Sequence, residues 1–219
     1  MIASCIDHTN LKPIATPRDI DQLCHEAIEN KFRAVCVNLE NAERAVENLK
    51  DSRIKTAVVI DFPLGASGLN VKLSAVRFAR NNHVDEIDVV WNLGRFKNLE
   101  YWHVLRELHR IVDTADGMTV KVIVEVPYLI DNELKMAFEI VADSGAQYIK
   151  TSTGFIEGQQ YVAVCLWQKC RTLSRSDLKI KASGGIRSYA DSVRFLEAGA
   201  DIIGTSSGIK IIEEEKNHG

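Results

Sequence analysis

Two lysines close short apolar runs, and each leads into small hydroxyl and glycine residues: Lys150 in KTSTG (150–154) and Lys181 in KASGG (181–185). A lysine that ends a strand and points into an enclosed mouth is desolvated. A like charge beside it acts in the same direction, so its neutral amine becomes available as a nucleophile toward a carbonyl. The ordinary alternative for any one such lysine is a stem laid along the strand edge with its head in water. Two lysines on adjacent runs, each opening the same kind of loop, weigh against it. Asp88, in DEIDVV (85–90), is a candidate proton carrier. Its ordinary alternative is a capping role, or an ion pair with an arginine such as Arg95.

A second group of residues could hold an anion. Ser183-Gly184-Gly185 follows one apolar run, and Gly204-Thr205-Ser206-Ser207-Gly208 follows another, just ahead of the helical pattern IKIIEEE. Glycines let backbone N–H groups approach an anion, hydroxyls add donors, and a helix N-terminus adds partial positive charge. The competing reading is that Ser206 caps the last helix. Metal chemistry finds little support, because the six histidines are scattered and neither HxH nor HExxH occurs. His25 and His103 read as polar-face residues. Cys36, in AVCVN, reads as a small core or barrel-lining residue, while Cys165, Cys170 and Trp167 fall in a helical pattern.

The elements that must position these residues alternate along the whole chain. Short β-branched runs occur at 34–37, 55–60, 86–91, 120–126, 146–150, 178–182 and 201–204, with an eighth at 4–7. Helical patterns lie between them at 20–30, 71–81, 99–113, 132–144, 160–172 and 189–198. Runs such as TAVVI and VKVIV are almost continuously apolar, as expected of a parallel sheet covered on both faces. The pattern predicts an α/β fold, a (β/α)8 TIM barrel over residues 1–219 as one domain. A doubly wound open sheet is the alternative, but no GxGxxG follows the first strand, and the length suits a barrel. On a barrel, the strand C-termini and the loops after strands seven and eight build the site, which is where the lysines and the glycine loops fall. The end IIEEEKNHG reads as a solvated last turn and frayed tail.

Composition narrows the partners. The 219 residues include 46% hydrophobic and 26% charged residues, with a formal net charge of −3 and a pI near 6.1. Neither a nucleic-acid partner nor a membrane is expected from that balance. MIASCIDHT meets an acid and a histidine too early for a signal peptide, and no window approaches the roughly 18 apolar residues of a membrane span. Five cysteines without CxxC spacing point to a reducing, cytoplasmic setting. A homodimer is compatible with the sequence.

Taken together, IDHTNLKP (6–13), VCVN (35–38), FPLG (62–65), DEIDVV (85–90), KTSTGF (150–155), KASGGIR (181–187) and IGTSSG (203–208) resemble the deoxyribose-phosphate aldolase family. The pieces keep their order and span essentially the whole chain, and KTSTGF with KASGGIR is the specific pair. The resemblance implies a (β/α)8 fold, no cofactor, and reversible cleavage of the small phosphorylated sugar 2-deoxyribose 5-phosphate to acetaldehyde and glyceraldehyde 3-phosphate. It implies that Lys150 forms a Schiff base and that Lys181 tunes it. Asp88 would serve proton transfer with Asp7 as a supporting acid, and Gly184, Gly185, Ser206 and Ser207 would hold the phosphate. Some positions depart from the family pattern. Asp61 replaces the usual glycine before FPLG and adds a carboxylate near the strand-three mouth. Pro127 follows strand five, Glu157-Gly158-Gln159-Gln160 follows KTSTGF, and the C-terminal tyrosine of some members is absent. The residues read without the resemblance also admit an acid–base phosphosugar isomerase or a non-catalytic phosphosugar-binding protein.

Overall fold

Each β-branched run forms a strand, and the strands pair in parallel with their sequence neighbours until the eighth returns to the first. The computed structural model describes residues 2–156, 158 and 160–218. The strands are β1 (Ile6–Asn10), β2 (Ala34–Asn38), β3 (Lys55–Ile60), β4 (Glu86–Val90), β5 (Thr119–Ile123), β6 (Tyr148–Lys150), β7 (Lys179–Ser183) and β8 (Ile202–Thr205). They close in the order β1 to β8, with β8 hydrogen-bonded to β1. The helices outside are α1 (Pro17–Asn30), α2 (Ala42–Leu49), α3 (Leu69–Asn81), α4 (Leu93–Lys97), α5 (Tyr101–Ala115), α6 (Asp131–Asp143), α7 (Gln160–Ser174), α8 (Tyr189–Glu197) and α9 (Gly208–His218). No described helix is long and apolar enough to cross a membrane.

Local chemistry sets the ends of these elements. Thr16 caps α1, accepting from the Asp19 N–H at 3.3 Å, while the Asp19 carboxylate accepts from the Thr16 N–H at 2.7 Å. Pro17 supplies the first helical residue, where a missing N–H costs nothing. The first strand begins at Ile6, later than residues 4–7 suggest, because residues 2–5 form a 3-10 turn that precedes it. The fifth strand stops at Ile123, short of residue 126, where Glu125 takes a left-handed conformation (φ 53°) that leaves the sheet. The helical pattern IKIIEEE forms α9, which continues through residues expected to fray, and its Ile211 and Ile212 are buried where a solvated turn was expected.

Alternation along the strands divides the molecule into an apolar shell and a polar axis. Ile87 and Val89 belong to the core between strands and helices, whereas Asp88 between them is buried inside the barrel. The same rule separates Val120 and Val122 from Lys121. An apolar patch also lies within the barrel, where Cys36, Ala57 and Val59 pack against Leu11 and Phe62.

Candidate active site

Register sets the spacing of the buried charges. Lys150 and Lys181 are direct partners across β6 and β7, and Asp88 and Lys121 are direct partners across β4 and β5. One oxygen of Asp88 accepts from Lys150 Nζ at 2.7 Å and from Lys181 Nζ at 2.8 Å. The other accepts from Lys121 Nζ at 2.8 Å. The sequence suggested two ammonium groups facing each other, and the structure places a carboxylate between them. Arg95 pairs with Glu100 instead of Asp88.

The network continues downward. Lys181 also donates to Asp7, which accepts from Arg33 Nη1 at 2.6 Å. Glu86 takes Arg33 Nη2 at 2.5 Å and Lys121 Nζ at 2.6 Å. To reach Asp7 on β1, Lys181 must cross β8. It does so over Gly204, where an added Cβ would sit 3.0 Å from Lys181 Cε. A side chain at 204 would crowd Lys181 Cε and Ser183 Cβ, so glycine at this layer leaves the lysine room to pass.

Burial alone would raise the Asp88 carboxyl, but Lys121, Lys150 and Lys181 outweigh it and hold the group well below the usual carboxylate range. Burial likewise opposes the ionised form of Asp7, yet Lys181 and Arg33 bring its pKa down to about 2. Burial would push the Lys181 ammonium down, but Asp7 and Asp88 hold it above the usual lysine range. Three buried carboxylates, Asp7, Glu86 and Asp88, are thus matched by Arg33, Lys121 and Lys181. Lys150 shares Asp88 with Lys121 and Lys181, and buried Glu125 acts on it as well.

Lys150 is also the one member of this network that lines the cavity at the strand C-termini, a space of about 520 Å³. Asp88, Lys181 and Asp7 lie beneath it. The wall opposite is formed by Gly184, Gly185 and Ser206, with Lys12 and Arg187 at the rim. Gly184 and Gly185 both have positive φ, 95° and 76°, backbone conformations that glycine enters without strain. A Cβ on Gly184 would strike the Ser152 hydroxyl. Hydroxyl bonds hold this wall in place: Thr151 Oγ1 and Ser152 Oγ donate to the Ser183 carbonyl at 2.8 and 2.9 Å, and Ser183 Oγ donates to the Ser152 carbonyl at 2.6 Å. Ser207 lies just behind Ser206, its N–H bonded to Thr205 Oγ1 at 2.9 Å. Its carbonyl accepts the first bond of α9 from Ile211. Among the described residues neither serine hydroxyl caps the helix.

Sequence reasoning missed Lys121, Glu86 and Arg33. The available signal was the charge in the middle of VKVIV, which in a strand covered outside by helices can only enter the barrel. Asp61 does not add charge to the mouth. Its carboxylate accepts from the Ser67 N–H at 3.0 Å and from the Ser67 hydroxyl at 2.7 Å, and it lies 3.4 Å from buried Lys72. Its φ of 54° is the conformation a glycine would take without strain. Pro127 forms part of a short 3-10 turn under Gly158. Glu157 and Gln159 of the departing segment lie outside the described residues. Cys36 lines the barrel, Trp167 is buried, and His25 is on the surface.

Comparison with known proteins agrees with this geometry. The DeoC/LacD family aldolase model matches residues 1–215. A deoxyribose-phosphate aldolase of Dictyoglomus turgidum is 43% identical over 211 residues, 96% of this chain and 95% of that protein. One from Thermococcus gammatolerans is 43% identical over 220 residues, 99% of this chain and 97% of that protein. Among solved structures, a putative deoxyribose-phosphate aldolase from Coccidioides immitis superposes with a TM-score of 0.96 at 35% identity, covering 98% of this chain and 85% of that one. The tetrameric deoxyribose phosphate aldolase from Aeropyrum pernix gives 0.91 at 36% identity, covering 100% and 92%. The lysine-centred polar axis, the glycine cradle facing it and this similarity over nearly the full length place the chain in the DeoC/LacD family of aldolases.

Proposed function

We propose that the protein reversibly cleaves 2-deoxy-D-ribose 5-phosphate to acetaldehyde and D-glyceraldehyde 3-phosphate through a Schiff base on Lys150. The observation that carries this reading is the position of Lys150, the one buried cation of the network that opens onto the cavity facing the glycine cradle. The cradle receives the phosphate through the Gly184 and Gly185 N–H groups and the turn at Ser206 and Ser207, which orients the open-chain sugar with its aldehyde toward Lys150.

The amine adds to C1, and loss of water leaves an iminium. Asp88, already against the lysine nitrogen, stabilises that cation. As the C2–C3 bond breaks, its electron pair moves into the iminium to give an enamine, and the C3 hydroxyl loses its proton as glyceraldehyde 3-phosphate forms. Asp88, against the lysine nitrogen, takes this proton through cavity water and passes it on toward C2 of the enamine; its low pKa makes it a transient relay that does not keep the proton. Protonation of the enamine at C2 and hydrolysis release acetaldehyde and the free amine. No cofactor is needed, because the iminium is the electron sink.

Borohydride reduction in the presence of substrate tests the assignment. It should fix a stable adduct on Lys150, undiminished by EDTA and abolished in Lys150→Leu. An isomerase or a phosphosugar-binding protein would give no adduct. Activity lost in EDTA and restored by zinc or magnesium would assign the cleavage to metal catalysis.

A cytoplasmic location fits the five cysteines, all free. A homodimer is the proposed assembly. It is supported by exposed Leu99, Trp102, Tyr128 and Ile130, on segments that meet where Lys97 Nζ donates to the Tyr128 carbonyl at 3.1 Å. Trp102→Glu should halve the mass measured by light scattering, and an unchanged mass would exclude this face.

A further inference from the structure

His8 stands on β1 between Asp7 and Thr9, and its ring leaves the barrel to be enclosed by its neighbours. It is 3% exposed. Nε2 lies 2.7 Å from Glu26 Oε2 on α1, and the other oxygen of Glu26 accepts from Gln22 Nε2 at 2.9 Å. The ring packs at 4.9 Å on Phe32. Nδ1 is buried and, among the described residues, has no hydrogen-bond partner. It faces Gly208, the first residue of α9, where an added Cβ would come within 2.7 Å of Nδ1 and 3.0 Å of Phe32 Cζ.

These contacts select one form of the ring. Burial pushes the imidazole pKa down against the opposing pull of Glu26, so the ring is neutral at pH 7. A carboxylate can only accept, which places the single proton on Nε2 and leaves a lone pair on Nδ1. That lone pair looks at the start of α9, where the first N–H groups have no helical partner and the helix carries partial positive charge. The other tautomer would set an N–H against that end and leave the Glu26 contact without a proton.

We propose that His8, fixed by Glu26 as the Nε2–H tautomer, is a positioning residue that holds the first turn of α9, and with it Ser206-Ser207-Gly208, in the conformation that binds the substrate phosphate. The proposal rests on the reading of this turn as a phosphate site and adds the device that sets its shape, a His8–Glu26 pair that stands in the wall of the same cavity. It also accounts for glycine at 208, since any side chain there would displace the imidazole.

The test combines nitrogen NMR with phosphate binding. In protein labelled with 15N-histidine, long-range proton–nitrogen correlation at pH 7 should show a lone-pair nitrogen at Nδ1 and a protonated one at Nε2. Glu26→Leu should mix the tautomers and weaken binding of inorganic phosphate about tenfold, within what a helix-terminus contact supplies. KM for deoxyribose 5-phosphate should rise by the same factor, with kcat and turnover of unphosphorylated deoxyribose retained. Glu26→Gln keeps an acceptor for Nε2–H and should restore both the tautomer and the affinity. A proton on Nδ1 in the unmodified protein, unchanged phosphate affinity in Glu26→Leu, or equal losses on both sugars would overturn the proposal. If the unmodified protein bound no phosphate while Nδ1 still showed a lone pair, the phosphate reading would fail and take this proposal with it.

Discussion

Four cations share this interior, Lys121, Lys150 and Lys181 buried and Arg33 half-buried, and their surroundings give them different work. Lys181 and Lys121 are held as ammonium ions by carboxylates on two sides, and Arg33 bridges Asp7 and Glu86. Lys150 is ion-paired to Asp88, feels the buried Glu125 carboxylate from farther off, and has open space above it. Replacing Lys181 by leucine therefore does more than remove a repelling charge. It strips a partner from two buried carboxylates and should cost about 3–5 kcal/mol in denaturant unfolding. It also gives Asp88 wholly to Lys121 and Lys150, favouring the ammonium form of the nucleophile. Borohydride trapping should slow at neutral pH and recover in alkali. Trapping at the unmodified rate across pH would leave Lys181 with a purely structural role. Lys150, Lys181 and Asp88 were legible because each ends or interrupts an apolar run beside an informative loop. Arg33 and Glu86 were not, because a charge at the start of a strand looks the same whether it faces solvent or closes a barrel floor.

At the level of elements, the strands were legible in number and order because helices cover their outer faces, making them nearly continuous apolar runs. What escaped was short or irregular. Within α2, AERAVENL spans only two turns, and five-residue α4 is held by Asn92, whose side chain accepts from the Arg95 N–H at 3.0 Å. The last helix was legible from IKIIEEE, but the charged end beyond it masked how firmly Ile211 and Ile212 are buried. That helix matters for binding, since both serines stand immediately before its first turn. Replacing Ser206 and Ser207 by alanine together should raise KM for deoxyribose 5-phosphate about tenfold or more, the loss of one or two charge-assisted hydrogen bonds. Turnover of unphosphorylated deoxyribose should change far less. Steady-state kinetics on both sugars checks this, and equal losses would mean that the serines hold the fold.

For the whole molecule, an ionised axis inside an apolar shell makes stability depend on acid. Asp7 has a folded pKa of about 2 against an ordinary 3.8. A depressed carboxyl contributes stability that is fully present above the unfolded value and is lost as pH falls through the folded one. The window is therefore about pH 4 to 2, and the contribution is on the order of 2 kcal/mol. Urea unfolding at pH 5 and at pH 2.5 should show this loss in the unmodified protein and a smaller one in Asp7→Asn. An identical pH dependence in both would mean that Asp7 is not among the groups that sense acid.

The bond between Lys181 and Asp7 joins residues 174 positions apart, and it runs across the strand that closes the ring. A growing chain that has delivered Lys150 has not yet delivered β7 or β8. At that stage the nucleophile exists, but Asp7 lacks Lys181 and the last anion-binding turn is missing. Long-range contacts of this kind bear the largest loop-closure cost and are expected late in folding. Assembly of the complete polar axis therefore waits until β7 and β8 close the ring.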